Sequence, residues 1–316
     1  MEHPDLALII RDWMTYRNTN YLYKIPMSKA LNQWPDIRKN IIKPHFKHLK
    51  KSTVNAWKEV TEIYISHIKP IAQNITTVDG TYTNWAILKS DSRSCIYNCT
   101  LNNVPAIVKT YLSVDKNHFA TNENKISQAL DEMGFNVPNR YESFNTDHHL
   151  CIPMQKLDTT LLDMYKKDPV GIGLQNVKAI VRDFVPILKT LHEEYKLCYV
   201  DFSCGNVAFH NNQPYMIDYG ALHPTCGGPP CMKTLRYESI NATNGNPVTF
   251  LDDLQSLGFV ITEALYGPNM CGEGSLFSTK PLLIENALQG TMGQFLQSYF
   301  TALESDNPYD ASLALC

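Results

Sequence analysis

"YVDFSCGNVAFHNNQPYMIDYG", residues 199–220, decides how the chain is read. It holds Asp201, an asparagine at Asn206, and Asp218 within an Asp-Tyr-Gly that follows a polar turn. One reading is a β-hairpin that happens to carry two carboxylates. The other is a phosphoryl-transfer site. The segment from Asn206 predicts strand, turn at Asn211–Pro214, strand, which brings Asn206 near Asp218 on one edge. Two oxygen ligands a hairpin apart suit Mg²⁺, which keeps most of its waters and takes one or two protein oxygens plus phosphates. Asp201 is then left to accept a proton from a substrate hydroxyl.

The flanks extend this reading. Upstream, an apolar-periodic helix over Val177–Tyr195 delivers the chain to Asp201. From about Thr76, "NWAILKS", "SCIYNCTL" and "VPAIVKTYL" are short β-rich runs split by turns such as Asn102-Asn103. A helix is expected over "NHFATNENKISQALDEMG", ending at Gly134, and two further strands over "NRYESF" and "HHLCIPM". After residue 156 helical patterns dominate. Residues 1–75 read as helical pieces, including "STVNAWKEVTEIYISHIK" with one apolar stripe. The order predicts an α+β fold of two lobes, a small β-rich one (76–155) and a helical one (156–316), behind a helical extension (1–75).

Composition sets bounds. A chain of 316 residues with 44% hydrophobic and 19% charged residues has the make-up of a globular protein with a sizeable core. Net charge is −3, which excludes bulk polyanion binding by the whole chain. Residues 1–70 nevertheless carry 12 Lys+Arg against 6 Asp+Glu. Six of those cations lie in "RKNIIKPHFKHLKK", residues 38–51. This segment is either a solvated helix face or a patch for an acidic partner or nucleic acid. No apolar run approaches the roughly 18 residues of a membrane span, and the opening run LALII is too short for a secretion signal. Nine cysteines without CxxC pairs fit free thiols in a reducing, intracellular setting, cytoplasmic or nuclear. His192, His210 and His223 read as surface or hydrogen-bond-satisfied histidines rather than ligands.

The polar positions stand in a recognisable order. D-x-x-x-x-N followed by D-Y-G resembles the eukaryotic protein kinase pattern. "TLRYESINATNGNPVTFLDDLQSLGFVITEALYG" and "NPYDASL" are similar to the casein kinase I and vaccinia-related kinase group. The resemblance runs from about Trp85 to Leu313. It implies a bilobal protein kinase-like fold and a Ser/Thr protein kinase that moves the ATP γ-phosphate, with Mg²⁺ or Mn²⁺, to a protein substrate. By that resemblance Asp201 is the catalytic base, and Asn206 and Asp218 are the metal ligands. Lys109 holds the α- and β-phosphates, with Glu123 as its helix partner. Ile96, Ile107, Met154, Gln155, Leu157 and Ala208 line the nucleotide slot, and Asp253 braces the catalytic loop.

The departures keep a second reading open. Aligned on Ile96, the phosphate-covering loop reads "KSDSRSCI", with Lys89, Asp91 and Ser94 where the family has glycines. Tyr199-Val200 replaces the His-Arg before the base, which implies no control by loop phosphorylation. Ser203 stands at the lysine that neutralises the γ-phosphate, removing a transition-state contact. Phe250-Leu251 replaces an Arg-Arg pair. Ile107 and Ala208 enlarge one wall of the adenine slot and shrink the other, roughly conserving its volume. These changes imply reduced activity, or a catalytically impaired pseudokinase that acts as a binding scaffold.

Overall fold

The computed structural model describes residues 74–90, 94–112, 118–146, 149–225, 234–268 and 290–316. The helical extension expected over residues 1–75, except its last two residues, and the basic segment 38–51 lie outside the described residues. Contacts divide the described chain into two units. Residues 74–112 and 140–156 belong to the first; residues 118–139 and those after 156 belong to the second. The break after Lys156 falls one residue from the expected boundary. The helix after residue 117 was expected with the sheet, but its contacts are with the second unit.

The first unit is one antiparallel sheet of β1 (Ile75–Thr77), β2 (Gly80–Ser90), β3 (Ser94–Leu101), β4 (Val104–Leu112), β5 (Phe144–Asn145) and β6 (His149–Gln155). Its strand order is β1-β2-β3-β4-β6-β5. Strand β3 alternates in burial from Cys95 onward, the signature of a sheet with one packed face. Cys99, Ala106, Val108 and Cys151 share that face with Tyr82, and Trp85 and Phe144 pack against the cluster. Trp85 meets Tyr97 edge-on at 5.8 Å. Paired residues share a face, so Ile96, Lys109 and Ile152, together with Ile107 and Met154, lie on the opposite one.

Asn102 and Asn103 join β3 to β4 in a two-residue turn, both with positive φ (49° and 67°). That is the mirror-image turn whose twist matches the strands, and asparagine tolerates it better than other side chains. The Asn102 side chain also accepts from Thr81 N–H and donates to the Asp79 carbonyl, stitching this turn to the β1–β2 turn. Gly80 sits under it at φ +134°, where a Cβ would lie 2.1 Å from the Asn102 amide. Of "NRYESF" only its last residue, Phe144, enters the two-residue strand Phe144–Asn145, and Arg140 adds a bridge to Met154. The Glu142 N–H donates to the Asp79 carboxylate rather than to a strand neighbour.

The second unit holds α1 (His118–Glu132), β7 (Thr159–Thr160), α2 (Leu161–Lys167), α3 (Leu174–Glu193), β8 (Leu197–Cys198), β9 (Val207–His210), β10 (Gln213–Met216) and β11 (His223–Pro224). It continues through α4 (Ile240–Thr243), α5 (Phe250–Tyr266), α6 (Gly290–Ala302) and α7 (Pro308–Leu313). Helix α3 buries Val177, Ile180, Val181, Phe184, Ile187, Leu188 and Leu191, as its periodicity predicts. Helix α5 is buried on nearly every side from Asp252 to Leu265, so it is the axis around which the unit packs. Its start is fixed by a capping box between Thr249 and Asp252.

The β9–β10 turn is shorter than expected. Asn211 and Asn212 alone form it, at φ 50° and 62°, while Gln213 and Pro214 belong to β10. Pro214 is tolerated there because β10 is the edge of its three-stranded sheet. Among the described residues, no helix is long and apolar enough to cross a membrane.

Candidate active site

The chain from α3 to Asp218 forms a loop, a hairpin and a turn, and each part is anchored. Strand β8 pairs with β11, which fixes the entry to the loop at Cys198. Asp253, 1% exposed on α5, then accepts from the Tyr199 N–H (2.5 Å) and the Val200 N–H (2.9 Å). The aspartate therefore braces the loop backbone, as the resemblance implied. Val200 has φ +56°, an uncommon conformation for a β-branched residue. Its side chain packs with Cys198, Ala242, Val248 and Phe250. Backbone strain of this kind persists only where its surroundings over-determine it, and the Asp253 bonds do so here.

Asp201 follows, half-buried, at the start of the turn into β9. The Asn206 side-chain N–H donates to the Asp201 carbonyl at 2.7 Å. This commits the amide nitrogen to scaffolding and leaves the carboxamide oxygen as the ligand-type atom of Asn206. The Thr234 hydroxyl donates to Asp201 Oδ1 at 2.7 Å, which fixes the carboxylate itself. The loop is tied further by Asn206 N–H to the Ser203 carbonyl and Leu162 N–H to the Cys204 carbonyl.

Met216 pairs with Val207, and the Ile217 N–H donates to the Asn206 carbonyl, so the hairpin closes at Asn206 and releases the chain at Asp218. Asp218 is left-handed (φ 64°, ψ 78°) and caps the 3₁₀ turn Tyr219–Ala221 through the Gly220 N–H at 3.3 Å. Helix α1 packs against that turn. Glu123, 1% exposed, is on this helix. The Tyr199 hydroxyl donates to the Ile217 carbonyl. Burial holds that phenol well above its ordinary value, and Asp218, Tyr219, Asp201 and Glu123 push it the same way. The expected base, the expected metal carboxylate and the helix glutamate thus all lie in the surroundings of one buried ring.

Asn206 and Asp218 offer hard oxygens, the donor type that Mg²⁺ or Mn²⁺ takes. His192, Cys198 and Asp253 also bring ligand atoms within 4.8 Å of one another. There, however, both histidine nitrogens and both Asp253 oxygens are already in hydrogen bonds. That group is a polar network rather than a cation cradle. As expected, His192 is hydrogen-bond-satisfied; it is fully buried, while His210 is part-exposed beside Asp158.

The remaining expected residues divide between the units. In the second, Ala208 is 1% exposed and sits between Thr160 and Tyr215, and Leu157 is half-buried. In the first, Lys109 is 6% exposed, its ammonium 5.4 Å from the Tyr111 ring centre. It lies between Ile96 and Ile152, while Ile107 faces Met154, and Gln155 ends β6 opposite Ala106. Asp91 lies outside the described residues, Lys89 is exposed and Ser94 is buried. Lys109 and Glu123 belong to different units, so their pairing rests on the resemblance alone.

Three features were not read from the sequence. Thr234 opens the "TLRYESIN" stretch, but nothing in its spacing aims its hydroxyl at Asp201. Arg236 and Glu263 form a part-buried ion pair at 2.7 Å, which ties the same segment to α5. Nearby, the Tyr237 hydroxyl donates to Cys204 Sγ at 3.2 Å. Burial pushes the Cys204 thiol far up, so it fills space rather than reacts. No family model and no curated protein matches this chain.

Proposed function

We propose that the chain is a divergent, casein kinase I-like Ser/Thr protein kinase of reduced activity, with the two units as the lobes of a protein kinase-like fold. The observation that carries this reading is the loop Tyr199–Asn206. Its backbone is pinned by Asp253, its aspartate is oriented by Thr234, and its asparagine closes onto a hairpin that ends at a left-handed Asp218. A scaffold has little need for two carboxylates and a carboxamide anchored separately along one loop and the hairpin that follows it.

In this mechanism Asp201 positions the substrate hydroxyl and accepts its proton as the oxygen attacks the γ-phosphorus of ATP. The bond from that phosphorus to the bridging oxygen breaks, and ADP leaves. Thr234 keeps Asp201 in one rotamer, so the carboxylate does not reorganise during the transfer. Asn206 and Asp218 would hold the divalent cation, which supplies positive charge to the phosphates when bound. Lys109 orients the α- and β-phosphates, with Glu123 as its partner. Ile96, Ile107, Met154, Gln155, Leu157 and Ala208 line the adenine slot.

Ser203 favours the pseudokinase reading, since a short hydroxyl cannot replace an ammonium at the γ-phosphate. An autophosphorylation and peptide-transfer assay with labelled ATP separates the two. Wild type is expected to transfer label with Mg²⁺ or Mn²⁺, and Asp201→Ala and Lys109→Ala are expected to lose about 10²-fold or more. Equal signal in all three, or none in any, rejects the kinase. The acidic-partner or nucleic-acid reading of residues 38–51 is tested by retention on a polyanion, which should fall with salt and on truncation of residues 1–75.

A further inference from the structure

A polar chain runs from the C-terminal helix to the loop that carries Asp201. On α7, Tyr309 is 8% exposed and places its hydroxyl 2.7 Å from His192 Nδ1. His192 Nε2 is 2.8 Å from Asp253 Oδ2. Asp253 in turn receives the two loop amides of Tyr199 and Val200. A carboxylate can only accept, so Nε2 carries a hydrogen toward Asp253. With the Nε2 hydrogen directed at Asp253, a neutral imidazole leaves Nδ1 as the acceptor for the Tyr309 hydroxyl. In that arrangement Tyr309 and His192 donate in series toward Asp253, the loop amides donate into it from the other side, and hydrogen bonds in series polarise one another. Phe250 stacks on one face of the imidazole at 4.6 Å and 18°.

We propose that Tyr309 is a positioning residue for the Asp201 loop, acting through His192 and Asp253. The loop needs such a hold, because Val200 is kept at a backbone conformation that valine seldom adopts. Without the tyrosine hydroxyl, the imidazole loses the partner that sets its rotation. Asp253 then shares a less oriented donor while it holds two backbone amides. The activity arm of the test rests on the kinase reading; the exchange arm does not.

The test compares the full chain with Tyr309→Phe, which removes one oxygen and keeps the ring, and with Asp310→Ala. The Asp310 carboxylate accepts from the side chain of Asn307, which caps the same helix, and meets Lys189, outside the polar chain. Amide hydrogen exchange is followed in peptides spanning 197–206, 303–316 and 94–112. Tyr309→Phe should raise exchange in 197–206 and leave 94–112 unchanged; Asp310→Ala should loosen 303–316 only. In the transfer assay, Tyr309→Phe should lower kcat about threefold to tenfold, the worth of one hydrogen bond, with the KM for ATP within about twofold. Unchanged exchange in 197–206, or an equal rise in both variants, overturns the proposal and leaves Tyr309 as a helix anchor. If wild type transfers no phosphate, the kinase reading falls and the exchange comparison still decides the role of Tyr309.

Discussion

The two Asn-Asn hairpins use one device for different ends. At Asn102–Asn103 the turn is locked sideways: the Asn102 amide bonds the adjacent β1–β2 turn, and Gly80 leaves room for it. At Asn211–Asn212 the turn is exposed and the ordered chemistry lies at the far end, where Asn206 and Asp218 emerge. The same pair of left-handed asparagines closes a structural sheet in one unit and aims a candidate site in the other. What differs is where side-chain hydrogen bonds are spent. The first unit places them on the turn; the second places one carboxylate, Asp158, on the turn and a larger set on the loop behind the hairpin, through Asp253, Asn206 and Thr234.

The comparison breaks most visibly at Asp253. Asp253→Ala strands two loop amides and a buried histidine and should destabilise the second unit by about 3–5 kcal/mol. Denaturant unfolding with hydrogen exchange in peptides of each unit should show loss of protection in 174–216 before 94–112. A uniform loss would mean that the two units do not unfold separately. Gly80→Ala probes the other side. Its positive φ and its clash with Asn102 should cost about 1–3 kcal/mol, localised to 74–112. A variant as stable as wild type would remove the stitched-turn account.

Smaller effects are expected at the turns themselves. Asn103→Gly should change stability by less than about 0.5 kcal/mol in thermal unfolding, because Asn-Gly suits this turn as well. The Asp158 carboxyl is held below its ordinary value by the Asn211 N–H, with His210 adding to it. A carboxyl lowered on folding stabilises above its unfolded pKa and loses that contribution as pH falls through the folded value. The difference between wild type and Asp158→Ala should therefore be present at neutral pH and shrink below about pH 4. A difference that persists unchanged at about pH 2 would assign Asp158 a role other than charge.

Much of the path to the site was legible. Strands β3 and β4 match the expected runs, because two-residue alternation and a polar turn specify a hairpin locally. Helix α3 follows its apolar periodicity, and α5 lies within an expected helical run but is buried nearly all round. Asp201, Asn206 and Asp218 could be singled out because their order along the chain is itself informative. "NRYESF" misled because Glu142 found a side-chain acceptor in Asp79, a contact 63 residues away.

Sequence alone determined which residues stand ready: a hairpin with an asparagine and an aspartate at its base, an acid before it, and a basic stretch at 38–51. Tertiary structure decided how they are held. Thr234 reaches the loop directly, and Tyr309 and His192 reach it through Asp253, by contacts between positions far apart in the chain that no spacing rule links. The reason is physical. Local periodicity fixes which face of an element is apolar, whereas a buried polar group takes whichever partner the packed core brings within hydrogen-bond reach.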